Sequence, residues 1–412
     1  MRPKRHQFEW NLLVLVTAAL VLFGLVMVYS ATSASAALGN GNPMAFLERQ
    51  AVYAFLGIVG MAVASRFDYR RLRYLAPALL LAALVLCSAV LVVAPAINGA
   101  RRWFVVGPAS FQPSEVAKLA LCLFAAAYLA RRPAPRSFGR LVKPLGLVTA
   151  AFCLLVLLEP DLGTTITLGG MMLAILLVAG VPVRLLALTT TLALAAGFAA
   201  VWIEPYRRAR VFSFLDPWKD AQGSGFQIVQ AMIGIGSGGI SGVGLGKGVE
   251  KALYLPEAHT DMIFAVIGEE LGLIGSTAVI AAFAAFGFLG FRIASRCPDR
   301  FGKLLAAGLT SLVCGQAAIN LAAVLGIAPL TGIPLPFVSY GGSSLVVLLA
   351  GVGILLNIAV SGEAVRAQVP DRGRRDGRTR PAGARGRGSA AGSRSDGDVR
   401  RVARSRRVAS GS

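Results

Sequence analysis

The chain has 412 residues, 56% of them apolar and only 15% charged, with a formal net charge of +21 at neutral pH. Its apolar residues fall in uninterrupted runs of about 18 or more, the length that crosses ~30 Å of hydrocarbon, which excludes a soluble globular enzyme and makes this an integral membrane protein. Its cysteines and two histidines show no zinc spacing, and Cys87, Cys122, Cys153 and Cys314 within spans and Cys297 in a turn leave none in the outward loops, so no structural disulfide is expected.

Ten spans are predicted in chain order, over residues 11–31, 50–65, 74–95, 113–130, 144–158, 163–181, 184–203, 261–291, 304–326 and 339–360. The fold class is therefore an all-α polytopic membrane protein. The first span follows a basic Met1–His6 and precedes Ala34-Ser35-Ala36, which resembles a signal-peptidase site. Its apolar core of about 19 residues exceeds the 7 to 15 of a signal core, so it is read as a retained helix.

Lysine and arginine set the orientation. With the N-terminus inside, 17 positive residues lie in inward segments before the tail, against nine on the outward side, six of those in the long loop 204–260. That asymmetry places both termini in the cytoplasm and the long loop, just before the eighth span, outside.

Polar clusters interrupt the pattern on the outward side. Gln112-Pro113-Ser114-Glu115-Val116-Ala117-Lys118 opens the fourth span, with Pro113 suited to a helix start and Glu115 and Lys118 three apart on one face. A buried ion pair that fixes helix packing and a pair facing a polar cavity both fit this spacing. Glu159-Pro160-Asp161 follows the fifth span, where its acids either cap the next helix or share that cavity. Arg101 and Arg102, beside Trp103, either hold an outer segment at the headgroup level or face an anionic substrate.

Within the long loop, Gly234-Ile235-Gly236-Ser237-Gly238-Gly239 matches a dinucleotide fingerprint only by glycine density, since no strand-helix-strand unit surrounds it. It reads as a flexible loop or a mobile lid over a bulky substrate. Tyr254-Leu255-Pro256-Glu257-Ala258-His259-Thr260-Asp261 then puts two acids and a histidine immediately before an apolar helix, a costly placement that marks a functional site. If Thr260 caps that helix, Asp261 occupies its first turn, ionised by the dipole but weakened as a base. Glu269, about 12 Å further along, is expected to pack, and Glu270 to pair elsewhere.

After residue 362 the composition turns to arginine, glycine, serine and alanine, with 14 arginines against five acids. Residues 363–412 are read as a disordered basic tail that anchors to anionic headgroups. Without interleaved aromatics it gives no case for nucleic acid.

QPSEVAK at 112–118, EPDLGTT at 159–165, GSGGISGVGLGKGVEKALYLPEAHTDMIFAVIGEELGLIG at 236–275 and PLPFVSYGGSS at 334–344 together resemble the SEDS family of shape, elongation, division and sporulation proteins, over about residues 10–360. The wording YLPEAHTD after the glycine run is more similar to the division branch than to the elongation branch. This resemblance implies a peptidoglycan glycosyltransferase domain over 1–362 that polymerises lipid II at the outer face of a bacterial cytoplasmic membrane, at the division septum.

It further implies Asp261 as the catalytic base, with Glu257 as second candidate, and Lys118, Glu115, Arg101, Arg102, Glu159, Asp161, His259 and Ser339 as substrate-binding residues. His259 is read as orienting the loop more than as catalysing. The implied partners are lipid II, a class B penicillin-binding protein, other divisome proteins and membrane lipids. No cofactor is indicated, and a divalent cation such as magnesium or manganese is left open. The rival readings are a lipid II flippase, an elongation polymerase and a non-catalytic divisome scaffold.

Overall fold

A backbone in hydrocarbon must satisfy its own hydrogen bonds, and a helix does so within each segment. The computed structural model describes residues 4–37, 43–97, 99–107, 109–223, 225–253, 255 and 257–368. In chain order the elements are α1 (Lys4–Ala37), α2 (Pro43–Arg66), α3 (Tyr69–Val93), the hairpin β1 (Phe104–Val106) and β2 (Ala109–Phe111), α4 (Pro113–Arg131), α5 (Phe138–Leu141), a π turn (Val142–Gly146) and α6 (Leu147–Leu158). They continue with α7 (Leu162–Ala179), α8 (Val183–Ile203), α9 (Pro205–Leu215), α10 (Phe226–Gly238), α11 (Glu250–Leu253), α12 (Ile263–Arg296), α13 (Arg300–Val324) and α14 (Gly342–Gln368).

Among the described residues ten helices are long and apolar enough to cross a membrane, and each predicted span falls on one of them. The fifth, expected from 144, starts at Phe138 because the π turn joins α5 to α6 in one 21-residue segment. α13 is the hub and packs on α12, α7 and α4, while α2 pairs with α14 and α3 with α4. α8 is the exception: 6% of its core window is buried, so nearly all of its apolar surface faces outward.

At the end that gathers the arginine-rich turns, buried Glu9 of α1 pairs with Arg292 at 2.6 Å and with Arg296, both on α12. Asn357 of α14 receives Tyr69 N at 3.0 Å and donates to Ser65 O at 2.9 Å, fixing the α2–α3 turn.

The segment 204–260 holds more structure than the loop expected of it. Pro205 starts α9 at a position where its missing N–H costs nothing. The glycine run is no open lid: Gly234–Gly238 is the last turn of α10 and packs on α12, where a Cβ on Gly238 would meet Gly268 O at 2.0 Å. α12 breaks at Gly272, whose φ of 64° and ψ of −157° free two carbonyls and two amides of the helix ladder. The loop after α10 takes up all four: Val243 N donates to Glu269 O and Gly244 N to Glu270 O, both at 3.0 Å, while Leu273 N donates to Gly239 O at 2.9 Å and Ile274 N to Ile240 O at 3.2 Å. Backbone approaches this close leave no room for a Cβ at the break.

The acids of the break are also held. Glu270 pairs with Lys251 of α11 and accepts from Ser30 Oγ of α1 at 2.7 Å, so it does pair elsewhere. Glu269 accepts from Val249 N at 2.6 Å. Tyr254, Pro256 and the tail from 369 lie outside the described residues, and α14 runs six residues beyond the expected domain end at 362.

Candidate active site

The turn 257–262 decides the geometry of the acidic motif. Met262, not Thr260, caps α12, so Asp261 stands before the first helical turn rather than inside it. Thr260 instead closes the turn: its N donates to Glu257 O at 3.0 Å, and its hydroxyl lies 3.3 Å from Glu257 Oε2 and 3.2 Å from Asp261 Oδ1. The single hydroxyl proton has its nearest acceptor in Glu257 O at 2.9 Å, so the hydroxyl lies between the two acids without bonding both at once, with Glu257 exposed at a φ of 54° and Asp261 half-buried.

Asp261 is held from two other elements. Asn320 of α13 donates its amide to Asp261 O at 2.7 Å and to Ile333 O at 2.8 Å, joining the turn to the segment before α14. Arg210 of α9 faces the carboxylate: a Cβ added at Gly332 would lie 3.9 Å from Asp261 Oδ2 and 4.0 Å from an Arg210 guanidinium nitrogen. Burial pushes the Asp261 pKa up to about 6, and the Arg210 charge opposes it. A carboxylate so tuned is largely ionised at neutral pH and still a usable proton acceptor.

One helical turn from Asn320, Gln316 continues the polar column. Lys118 Nζ donates to Glu115 Oε1 at 2.8 Å and to Gln316 Oε1 at 2.9 Å, and Gln316 Nε2 donates to Pro334 O at 3.1 Å. Lys118 and Glu115 are both buried, and Glu115 Oε2 is left without a partner. The predicted pair therefore exists, linked through α13 to the turn that carries Asp261.

The other predicted residues are spent differently. Arg101 caps the end of α3, donating to Leu91 O at 3.2 Å and Val92 O at 3.3 Å. Arg102 donates to Glu159 O and Pro160 O, both at 2.6 Å, and lies 5.9 Å from the Trp103 ring. Both arginines thus hold backbone. Asp161 caps α7, accepting from Thr164 N and Thr164 Oγ1 at 2.8 Å each, and Gln112 Nε2 reaches it at 3.4 Å.

Glu159 closes α6 through its backbone N–H, but its side chain caps no helix: it is fully buried, neither carboxyl oxygen has a partner, and burial together with Asp161 pushes its pKa up to about 8. Ser339 accepts from Leu335 N at 2.8 Å and is buried in its own turn. His259 orients the loop: its carbonyl accepts from Tyr340 N at 2.9 Å, its ring meets Phe46 edge-on at 4.9 Å, and burial lowers its pKa.

Sequence reading missed Arg210, Gln316 and Asn320. Two amides four apart on one face of the mostly apolar α13 were the available signal, since such groups seldom face lipid. Among the described residues no group of three or more His, Cys, Asp or Glu side chains is placed to hold a metal ion.

A family model for cell cycle proteins, FtsW/RodA/SpoVE, matches residues 10–363. A probable peptidoglycan glycosyltransferase FtsW of Geobacter metallireducens is 41% identical over 355 residues, covering 85% of this chain and 95% of that protein. The stage V sporulation protein E of Bacillus subtilis is 40% identical over 354 residues, 84% of this chain and 96% of its own. A chain from a peptidoglycan synthase complex, described for its coordination of polymerization and crosslinking, superposes with a TM-score of 0.72 at 36% identity, covering 85% of this chain and 97% of that one. The rod shape determining protein RodA of Thermus thermophilus gives 0.63 at 33% identity, over 84% and 95% of the two chains.

Proposed function

Because the chain belongs to the FtsW/RodA/SpoVE family of cell cycle proteins, we propose that its polar column is the active centre of a glycan polymerase that uses lipid II. The protein is a peptidoglycan glycosyltransferase and a multi-pass protein of the bacterial cytoplasmic membrane. Lipid II as substrate, the septum as its place of work and a class B penicillin-binding protein as its partner are our reading. The likeness to a chain of a peptidoglycan synthase complex supports the partner.

The observation that carries the mechanism is Asp261, half-buried at the mouth of the column, anchored through its carbonyl by Asn320 and faced by Arg210. In the reaction the 4-hydroxyl of an incoming GlcNAc attacks the anomeric carbon of the muramyl sugar at the end of the growing strand. The new C–O bond forms as the bond to the pyrophosphate breaks, and undecaprenyl pyrophosphate leaves with the electron pair. Asp261 takes the hydroxyl proton. Since the donor is α-linked, a single displacement gives the β-1,4 bond.

Buried Lys118 balances Glu115 and braces α13 through Gln316, which keeps Asn320 and hence Asp261 in place. Asp261→Asn preserves shape and removes only the charge and the proton-accepting function. In vesicles supplied with lipid II, with the variant inserted normally, its polymerisation should fall 10²- to 10⁴-fold, the usual cost of losing a general base. Polymerisation at near the wild-type rate would remove Asp261 from this role and bring Glu257 forward.

A further inference from the structure

α9 is fastened to the bundle by arginines three residues apart, a spacing that puts both on one helical face. Arg207 donates to Leu157 O at 2.7 Å and Ala200 O at 3.1 Å, near the ends of α6 and α8. One turn on, Arg210 donates to Leu330 O at 3.1 Å. Gly332, with a φ of 71°, lies beside both groups: a Cβ there would be 4.0 Å from the Arg210 guanidinium and 3.9 Å from the Asp261 carboxylate. A glycine at this point leaves the space between guanidinium and carboxylate free of any side chain.

We propose that Arg210 is a positioning residue for polymerisation, holding the Asp261 carboxylate ionised and aimed across Gly332. The inference rests on Asp261 as the base and adds the group that sets when it is able to act. Among the described residues the groups facing that carboxylate are few. Thr260 and Glu257 come from its own turn, Arg210 from α9, and the uncharged Asn320 amide from α13, bound to the Asp261 backbone. The segment 330–334 carries no ionisable side chain, and the His259 ring is turned to Phe46 and Tyr340.

Glu257 and burial both favour the protonated acid, whereas Arg210 favours the carboxylate. A cation within ~4–6 Å lowers a carboxyl pKa by about 1–3 units. Removing this one therefore lets burial prevail, and the base is lost at a higher pH than in the native protein.

The test is the pH profile of lipid II polymerisation by the full chain in vesicles between pH 5 and 9. The native rate should fall as the pH drops through about 6. In Arg210→Gln, which keeps a donor for Leu330 O, that limb should move up by about one unit, whereas Arg210→Lys should hold it near the native position. At pH 6.5 Arg210→Gln should then run at roughly a third of its native-relative activity at pH 9. If glutamine is not tolerated, Arg210→Cys alkylated to carry an ammonium serves instead, and alkylation must move the limb down.

A limb that stays at its native position in Arg210→Gln, or does not respond to alkylation, overturns the inference even if the rate is lower throughout, because a merely structural arginine would do that. Asp261→Asn separates the two readings. An active Asp261→Asn defeats the base assignment itself, while an inactive one beside an unmoved Arg210→Gln limb defeats only the role of Arg210.

Discussion

Asn320 is the residue whose loss should separate activity from stability most cleanly. Its amide holds Asp261 O at 2.7 Å and Ile333 O at 2.8 Å, while its own Oδ1 is buried without a partner. Asn320→Leu removes both donors and keeps the branched outline, though leucine is the larger side chain and the site must repack slightly around it. Each carbonyl left unsatisfied costs about 1–3 kcal/mol, and deleting the unpaired Oδ1 returns about as much as one of them, so the net loss of stability should be roughly 1–3 kcal/mol. The catalytic loss should be larger, because the turn is then free to drift and a misplacement of about 1 Å costs on the order of 10²-fold. Asn320→Asp should be worse on both counts, since a carboxylate would face two carbonyls. Melting in detergent and polymerisation of lipid II in vesicles measure the two effects. Asn320→Leu at near the native rate would refute the view that this amide places the base.

Lys118→Met leaves Glu115 as an uncompensated buried charge and should cost about 3–5 kcal/mol by melting. Adding Glu115→Gln should restore most of it, and a double variant no more stable than the single one would contradict the pairing. Glu159, with a pKa raised from 4.5 to about 8, binds its proton more tightly folded than unfolded, so its contribution to stability is present below 4.5 and is lost as the pH rises to about 8. Native protein should therefore lose melting temperature between pH 5 and 8 relative to Glu159→Gln, and parallel curves would show that the carboxyl is not buried neutral. For topology, a cysteine placed in segment 204–260 should react with an impermeant thiol reagent from outside and one in the tail should not, and reversed labelling would invert the orientation.

The spans were legible because length and apolarity alone decide whether a segment crosses a bilayer. The structure between 204 and 262 was not, because its helices are set by tertiary contacts that no periodicity announces. α9 looks like any basic amphipathic stretch until Arg207 and Arg210 find the carbonyls of Leu157 and Leu330. Likewise Thr260 has the chemistry of a cap, but its hydroxyl turns to Glu257 and Asp261, and the helix begins after Met262. The Glu115–Lys118 spacing was readable as a pair, yet its link to the acidic turn needed α13 between them. Arg101 and Arg102 show the converse, since a positive charge in sequence says nothing of whether a carbonyl or a phosphate will claim it.

The exchange of hydrogen bonds at Gly272 also bears on how force travels through the bundle. α12 cannot behave as one rod, because its ladder is interrupted and the residues on both sides of the break, Glu269 and Glu270 before it and Leu273 and Ile274 after it, are stitched sideways to residues 239–244. A push delivered in the membrane to residues 273–296 is divided at the break between the short upper half and the glycine loop before it reaches Asp261. Two of the four exchanged bonds hold Glu269 and Glu270 before the break and two hold Leu273 and Ile274 after it, so residues 239–244 clamp both sides and carry load from either half. A tilt of the long lower half thus reaches the turn that carries the base by way of residues 239–244 as well as along α12.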